Sequence, residues 1–102
     1  MISNVKATLL VRARIVDAEN AFAETVLWKV PMPIKGSAHC YRYRLAYVVD
    51  GKCEVRYDNE AVKGDHRHYG GRETAYTFST PEKLIADFQR DIRRWNDENR
   101  DA

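Results

Sequence analysis

The chain has 102 residues, of which 44% are hydrophobic, 31% charged and 11% aromatic. This composition is typical of a folded globular protein and excludes a disordered chain, which would lack so many aromatic residues. The net charge of +2 does not by itself indicate a nucleic-acid-binding protein. No apolar run approaches the ~20 residues that a membrane span requires. The length predicts one domain over residues 1–102, with a core thin enough that a partner subunit, such as a second copy in a homodimer, would help to stabilise it.

The N-terminal residues and the cysteines bear on the cellular compartment. Met1–Asn4 carries no charged start followed by an apolar stretch, so we expect no secretion signal and a cytoplasmic protein. Cys40 and Cys53 are predicted to stay reduced. In the hairpin register described below, Cys40 lies about 26 Å from the residue opposite Cys53, whereas a disulfide needs Cα atoms within about 7 Å.

The N-terminal half alternates between apolar and polar residues, as β-strands with one buried face do. Lys6–Val16 and Ala21–Val30 are therefore predicted to form a hairpin around a turn at Asp17–Asn20. A helix over Asp17–Leu27 is the alternative, because alanine, glutamate and leucine favour helices. The predicted strand pairs are Leu9 with Trp28, Val11 with Val26, and Ile15 with Phe22.

An Asp-Gly dipeptide at positions 50–51 separates Tyr41–Val49 from Lys52–Asp58, both rich in strand-forming residues. Asp-Gly between two such runs predicts a β-hairpin with a two-residue turn. Asn59–Arg72 is polar and is predicted as a loop with some strand character, and Ala75–Phe78 as a short fifth strand. The register of the hairpin pairs Val49 with Lys52 and Val48 with Cys53.

A helix is predicted to begin near Thr80 and to end near Trp95 or Glu98. Thr80 caps it if Pro81 is the first helical residue, and Ser79 caps it in the alternative register with Glu82. An apolar stripe at helical spacing predicts the buried side. Its residues are Leu84, Ile85, Phe88, Ile92 and Trp95.

The order of these elements predicts an α+β fold. Four to five strands form a twisted antiparallel meander, and the C-terminal helix packs on one face of the sheet. The charged residues of the helix are expected to form a solvated face or a partner surface. They are Lys83, Asp87, Arg90, Asp91, Arg93, Arg94, Asp97, Glu98 and Arg100.

The densest polar cluster, Tyr57–Arg72, predicts the functional site. Histidine exchanges protons near neutral pH, and arginine or lysine stabilises the charge that develops on a phosphoryl group. These are the components of a metal-independent ribonuclease, for which no cofactor and no metal site are expected. The catalytic candidates are Asp65, His66, Arg67 and His68. The substrate-binding candidates are Arg42, Arg44, Tyr57, Asp58 and Lys63.

The hairpin register places two arginines near this cluster. Arg42 and Arg44 continue one face of the hairpin toward its open end, where the polar segment begins. We expect them to converge with the basic residues of Lys63–His68 in one pocket that takes a phosphate. The apolar part of the same face is predicted to contain Ala46, Val48, Cys53, Val55 and Tyr57.

Each candidate has a simpler interpretation, which the residues alone leave open. Arg42 and Arg44 could be exposed, or paired with Asp58 or Glu60. His66 and His68 could hydrogen-bond the backbone of a loop, and His39 next to Cys40 could be structural. The His-x-His spacing could also bind a metal, which together with Asp65 would suggest a metal-dependent hydrolase. The tyrosines that alternate on the third strand could either stack RNA bases or cover the sheet. They are Tyr41, Tyr43 and Tyr47.

Three parts of the sequence resemble TumE-type toxins, small bacterial proteins of toxin–antitoxin pairs. They are the Tyr- and Arg-rich stretch Tyr41–Leu45, the Tyr57–Asn59 block followed by Lys63-Gly64-Asp65-His66-Arg67-His68, and the closing helix from Thr80. The resemblance implies a toxin that acts on RNA and is encoded beside a DNA-binding antitoxin. The alternative is a non-enzymatic module that binds RNA or a protein through the hairpin.

Overall fold

In the computed structural model, which describes residues 6–100, six strands form one antiparallel sheet in chain order, and a helix follows them. This confirms the α+β meander with a C-terminal helix. Met1–Asn4, on which the expectation of no secretion signal rests, lies outside the described residues. The elements are β1 (Thr8–Ala18), β2 (Ala21–Lys29), β3 (Tyr41–Val49), β4 (Lys52–Glu60), β5 (Gly64–Tyr69), β6 (Arg72–Ala75) and α1 (Pro81–Asn99).

The sheet has more strands than the sequence predicted, because the polar segment is a hairpin and not a loop. β5 and β6 pair around a turn at Gly70 and Gly71, and Tyr69 lies opposite Arg72. A Gly-Gly dipeptide is a hairpin signal, and it marked this turn. The predicted fifth strand was wrong, because only Ala75 of that segment belongs to a strand.

A β-bulge in β1 changes the register predicted for the first hairpin. Leu9 pairs with Trp28 as predicted, but the register shifts between Leu9 and Val11. Val11 therefore lies opposite Leu27, and the predicted partner was wrong by one residue. Because side chains alternate along a strand, a shift of one residue moves them to the other face of the sheet. The predicted pair Ile15–Phe22 was wrong for the same reason, since Ile15 lies opposite Ala23, and the alternative helix over 17–27 is also wrong.

A second bulge divides the β3–β4 hairpin. Its turn confirms the prediction, since Asp50 and Gly51 have φ angles of 53° and 77°, as a two-residue hairpin turn requires. The register then shifts between Tyr47 and Val48, so that Tyr47 faces Val55 and not the neighbouring Glu54. The predicted shared face was therefore wrong, because the bulge moves Val55 and Tyr57 away from the side of Ala46 and Val48. Both cysteines are free, as predicted.

The sheet has two chemically different faces. The helix side, covered by α1, includes fully buried side chains such as Leu45, Tyr47 and Tyr57. The opposite side, here called the outer face, carries the alternate residues of each strand. On β3 these include Arg42 and Arg44, which are exposed.

The helix begins and ends close to the predicted positions. The side chain of Thr80 accepts a hydrogen bond from the backbone N–H of Lys83 at 3.1 Å, and Pro81 is the first helical residue. The predicted apolar stripe packs on the sheet through Leu84, Phe88 and Trp95. Within residues 6–100, no helix is both long and apolar enough to cross a membrane.

Two carboxylates that the sequence placed on the solvated face of α1 are buried against the sheet. Asp91 is 1% exposed, and its Oδ2 accepts hydrogen bonds from Tyr57 Oη at 2.5 Å and from Arg67 Nε at 2.6 Å. Asp87 accepts from Tyr76 Oη at 2.6 Å. The expectation of exposure was wrong because these carboxylates accept hydrogen bonds from side chains of β4, β5 and the segment after β6. Polar groups therefore bind the helix to the sheet.

We predict that Asp91→Ala lowers the free energy of unfolding by about 3 kcal/mol, because it leaves the guanidinium of Arg67 and the hydroxyl of Tyr57 without their buried acceptor. Urea denaturation followed by circular dichroism measures this loss. The matched control is Asp97→Ala, an exposed carboxylate on the same helix, which should change stability by less than about 0.5 kcal/mol. Equal effects of the two variants would contradict the assignment.

Candidate functional site

The outer face of β3, β4 and β5 brings together five of the predicted site residues. Arg44 lies opposite Asp58, and Asp58 lies opposite His66, so that the three form a row across neighbouring strands. Arg42 is two residues along β3 from Arg44, and His68 is two residues along β5 from His66. Side chains two residues apart share a face. The prediction that His-x-His places both rings on one side of a strand is therefore confirmed.

The two arginines of this face are available to an anion. Within the part of the chain that the structure describes, no carboxylate oxygen lies within 4.0 Å of the guanidinium nitrogens of Arg42 or Arg44. The partner of Asp58 is instead Arg56, at 3.2 Å from Nε to Oδ2. The sequence left open whether Arg42 and Arg44 are exposed or paired with Asp58 or Glu60. Both are exposed, and neither forms these ion pairs.

Cavities open on both sides of the arginine pair. The first, of about 470 Å³, is lined by Trp28, Val26 and both arginines, among others. The second, of about 400 Å³, is lined by Asp58, Glu60 and the same two arginines. Sites for small ligands commonly have volumes of about 300–1,000 Å³. The arginine pair therefore stands between two spaces that a ligand could occupy.

Asp58 is the buried carboxyl of this face. Burial raises its pKa above the usual value, Arg56 opposes the rise, and Glu60 adds to it. Arg44 also lowers this pKa through its charge. A carboxyl with a raised pKa beside a cavity is suited to exchanging a proton with a ligand.

The hydrogen bond of one ring nitrogen of His66 defines its tautomer. Its Nδ1 lies 3.1 Å from the carbonyl oxygen of Gly64. Because a carbonyl only accepts hydrogen bonds, Nδ1 carries a proton, and Nε2 is left to accept or donate a second one. His68 lies in the next row, between Arg56 and Glu73.

Asp65, one of the predicted catalytic residues, does not belong to the outer face and does not lie with His66 and His68. It alternates with His66 along β5 and therefore points to the helix side. Its carboxylate accepts hydrogen bonds at 2.6 Å from Ser37 Oγ and Tyr43 Oη, and lies 2.6 Å from His39 Nε2. Asp65 stands at the centre of this cluster. In a nucleophilic triad the histidine stands at the centre, so the cluster does not have the order of such a triad.

His39 is held in one tautomer by its two hydrogen bonds. Its Nδ1 accepts from the backbone N–H of Tyr41 at 3.2 Å, so Nε2 carries the proton that it donates to Asp65. The ring also stacks on Phe78 with centroids 3.8 Å apart. The structural interpretation of His39 is thus supported by its contacts.

Arg67 and Tyr57 also lie on the helix side, so the predicted convergence of Arg67 with Arg42 and Arg44 was wrong. Both bind Asp91, and hydrogen bonding to this carboxylate raises the pKa of Arg67. Lys63 is on the turn before β5, and its Nζ is 3.6 Å from Glu73. None of these three lines either cavity beside the arginine pair, and neither do His66 and His68 of the outer face.

The same alternation disfavours the metal-ion alternative. Asp65 points to one face of β5, while His66 and His68 point to the other, so the three cannot coordinate one ion. Over residues 6–100 there is no group of three or more histidine, cysteine, aspartate or glutamate side chains placed to hold a metal. The tyrosine alternative is also resolved for two residues, since Tyr43 and Tyr47 are 3% and 0% exposed and cover the sheet.

The loop before β3 supplies part of the second cavity, although no motif in its sequence predicted this role. Ile34 lines this cavity beside Ala61. The loop is held against the β4–β5 turn by a close approach of two glycines, since a Cβ on Gly64 would lie 2.7 Å from the carbonyl oxygen of Gly36. Their φ angles of +99° (Gly36) and +77° (Gly64) also favour glycine.

The fold and the site define a class of α+β protein in which a helix covers one face of the sheet. The other face carries arginines beside two cavities. The family model described as "Toxin TumE" matches residues 3–96. The chain therefore belongs to the TumE toxin family, as the resemblance implied, and a toxin of this family has an antitoxin as its partner. No curated protein and no solved structure matches the chain.

We predict that Asp58→Asn raises the melting temperature at neutral pH. Burial raises the pKa of this carboxyl, so its ionised form destabilises the folded state relative to the unfolded chain. The folded state binds the proton more tightly, so the gain is full above the raised native pKa, decreases as the pH falls through that pKa, and is absent below the ordinary value of 3.8.

Thermal unfolding between about pH 3 and pH 8 tests this dependence. Asp97→Asn is the control, because it removes an exposed carboxylate and should leave the melting temperature unchanged. A lower melting temperature of Asp58→Asn at pH 7 would show that the ion pair with Arg56 outweighs the burial of Asp58.

Proposed function

We propose that this toxin is a metal-independent endoribonuclease whose active site is the outer face of β3, β4 and β5. The observation that carries the proposal is the row in which the exposed Arg44 lies beside Asp58, and Asp58 beside His66. A cation for the phosphate, a carboxyl with a raised pKa and an imidazole are the groups that cleavage of RNA by its own 2′-hydroxyl requires.

In this proposal each group of the row has one role. Arg42 and Arg44 bind the scissile phosphate and stabilise the charge of the phosphorane. The carboxylate of Asp58 accepts the proton of the 2′-hydroxyl, whose oxygen attacks phosphorus. The bond from phosphorus to the 5′-oxygen breaks, and this oxygen takes a proton from Nε2 of the protonated His66. The products are a 2′,3′-cyclic phosphate and a 5′-hydroxyl.

The positions support this division between acid and base. Asp58 and His66 lie opposite each other on neighbouring antiparallel strands, where Cα atoms are about 4.5–5.5 Å apart. His66 keeps its Nδ1 proton on the carbonyl of Gly64, so the exchangeable position is Nε2. Two titrating groups predict a bell-shaped dependence of kcat/KM on pH.

The proposal predicts cleavage of single-stranded RNA in the presence of EDTA. His66→Ala and Asp58→Asn should each lower kcat by at least about 10²-fold, the usual contribution of acid–base catalysis. Arg44→Gln should also lose about 10²-fold, because it removes a charge that stabilises the transition state. The products are separated on denaturing gels and tested for the cyclic phosphate.

The matched control is Arg93→Gln, which removes an exposed arginine from α1, remote from the outer face. It should cleave as the wild type does. Full activity of both His66→Ala and His68→Ala would remove the histidines from the mechanism. Salt-sensitive binding of RNA without turnover in the wild type would favour a non-enzymatic module instead.

We infer further that the antitoxin partner is a DNA-binding protein and that the pair acts in the cytoplasm, where RNA and the operator DNA are both present. The family membership supports a partner, and the RNA chemistry supports this compartment. Co-expression with the product of the neighbouring gene should yield a complex that retards DNA from its own promoter in a gel. A complex that leaves this DNA free would contradict the inference.

A further inference from the structure

We propose that Trp28 is the floor of a nucleobase subsite, in which one unpaired base of single-stranded RNA stacks on the indole while its phosphate binds Arg42 and Arg44. The proposal rests on the proposed function for the identity of the ligand as RNA. It adds a specificity-determining residue on β2, outside the polar segment Tyr57–Arg72.

The first cavity has the composition of a site for a flat, apolar group attached to an anion. Its volume is about 470 Å³, and Ala7, Val26 and Val30 line it with the half-buried Trp28. Among the residues of the chain that the structure describes, its charged lining residues are the two arginines, and no carboxylate lines it. A phosphate alone would leave the apolar walls uncovered, whereas a nucleotide would use both parts of the lining.

The indole is free of the partners that cover other aromatic rings on this protein. On the same face the guanidinium of Arg14 lies 3.9 Å from the ring centroid of Phe22. Tyr69 has Arg67 at 5.1 Å and Arg94 at 4.7 Å. Among residues 6–100, neither an aromatic ring nor a cation stacks on Trp28. Its surface in the cavity is therefore available to a base, and aromatic faces stack on bases of any sequence.

The strand register connects this subsite to the catalytic row. Trp28 lies opposite Arg42, and Val26 lies opposite Arg44. The two cavities share both arginines, so a ligand could extend from the indole, past the guanidinium groups, to Asp58. Neighbouring strands are about 4.8 Å apart, which puts β2 about 10 Å from β4. A nucleotide with its base on Trp28 places its phosphate between these strands.

This arrangement selects for single-stranded RNA. In a duplex the faces of each base are covered by its neighbours in the stack, so a base must be unpaired and unstacked to reach an aromatic side chain. We therefore expect tight binding of a single strand and weak binding of the same sequence in a duplex.

The test uses the full chain and a ten-nucleotide, mixed-sequence 2′-O-methyl oligoribonucleotide, which cannot be cleaved because it has no free 2′-hydroxyl. Binding is measured by fluorescence anisotropy for the wild type, Trp28→Leu and Trp28→Phe. Trp28→Leu should weaken binding by about 10-fold to 100-fold, since stacking on an aromatic ring is lost. Trp28→Phe, which keeps a flat ring, should stay within about threefold of the wild type.

A second measurement detects binding of the oligonucleotide to the wild-type protein. The chain has two tryptophans, and Trp95 is 9% exposed beneath α1. In NMR spectra of the wild type, the oligonucleotide should shift the indole N–H signal of Trp28 and leave that of Trp95 in place. The spectrum of Trp28→Phe assigns the two signals. A loss of fold in Trp28→Leu would therefore not prevent the test.

The outcomes separate the subsite from the proposed ribonuclease activity. Binding of the 2′-O-methyl strand that depends on Trp28, without cleavage of unmodified RNA, would support the subsite and overturn the ribonuclease. Cleavage that depends on His66 but is unchanged in Trp28→Leu would overturn the subsite and leave the ribonuclease. Equal affinity of Trp28→Leu and the wild type, or a Trp28 signal that does not move, would overturn the subsite.

Discussion

The buried carboxylate of Asp91 determines which side of the sheet faces the helix. It accepts hydrogen bonds from Tyr57 on β4 and Arg67 on β5, so these two opposed residues must both point toward α1. Because side chains alternate along a strand, their neighbours Asp58 and His66 must then point the other way. One buried interaction therefore places the proposed catalytic groups on the outer face.

The helix side of the sheet holds the contacts that stabilise the fold, and the outer face holds the proposed site. On the helix side, polar groups meet partners in pairs and clusters, as Tyr76 does with Asp87 and Asp65 does with Tyr43. Buried polar groups of this kind are costly to leave unpaired, so they specify one arrangement of helix and sheet. On the outer face, Arg42 and Arg44 lack such partners among residues 6–100, and burial raises the pKa of Asp58. Such a carboxyl is common at functional sites.

Local signals predicted much of the fold. The Asp-Gly turn, the third strand and the Thr80 cap followed from short stretches of sequence and are confirmed. The bulges could not be predicted in this way, because a single extra residue in a strand leaves the hydrophobic pattern almost unchanged. Each bulge nevertheless moves the following side chains to the other face, which is why Tyr57 was expected beside Arg44.

The residues of the site could be predicted only in part, because some of their partners are distant in sequence. Arg42, Arg44, Asp58, His66 and His68 share the outer face, whereas Asp65 and Arg67 pair with residues distant in sequence. Arg67 and Asp91 are 24 positions apart. One signal for this pairing was present, since Asp91 lies three residues after Phe88 and seven after Leu84, on the buried side of the helix. Trp28 belongs to no recognisable sequence motif. The register of β2 with β3 places it opposite Arg42.

Photo-cross-linking tests most directly whether the outer face is where RNA binds. A 2′-O-methyl oligoribonucleotide that contains 4-thiouridine is irradiated on the wild-type toxin, and the linked peptides are identified by mass spectrometry. The account predicts cross-links to β2, β3 and β4 at residues of the outer face, among them Trp28 and Arg44. Cross-links confined to α1 or to residues of the helix side would contradict it.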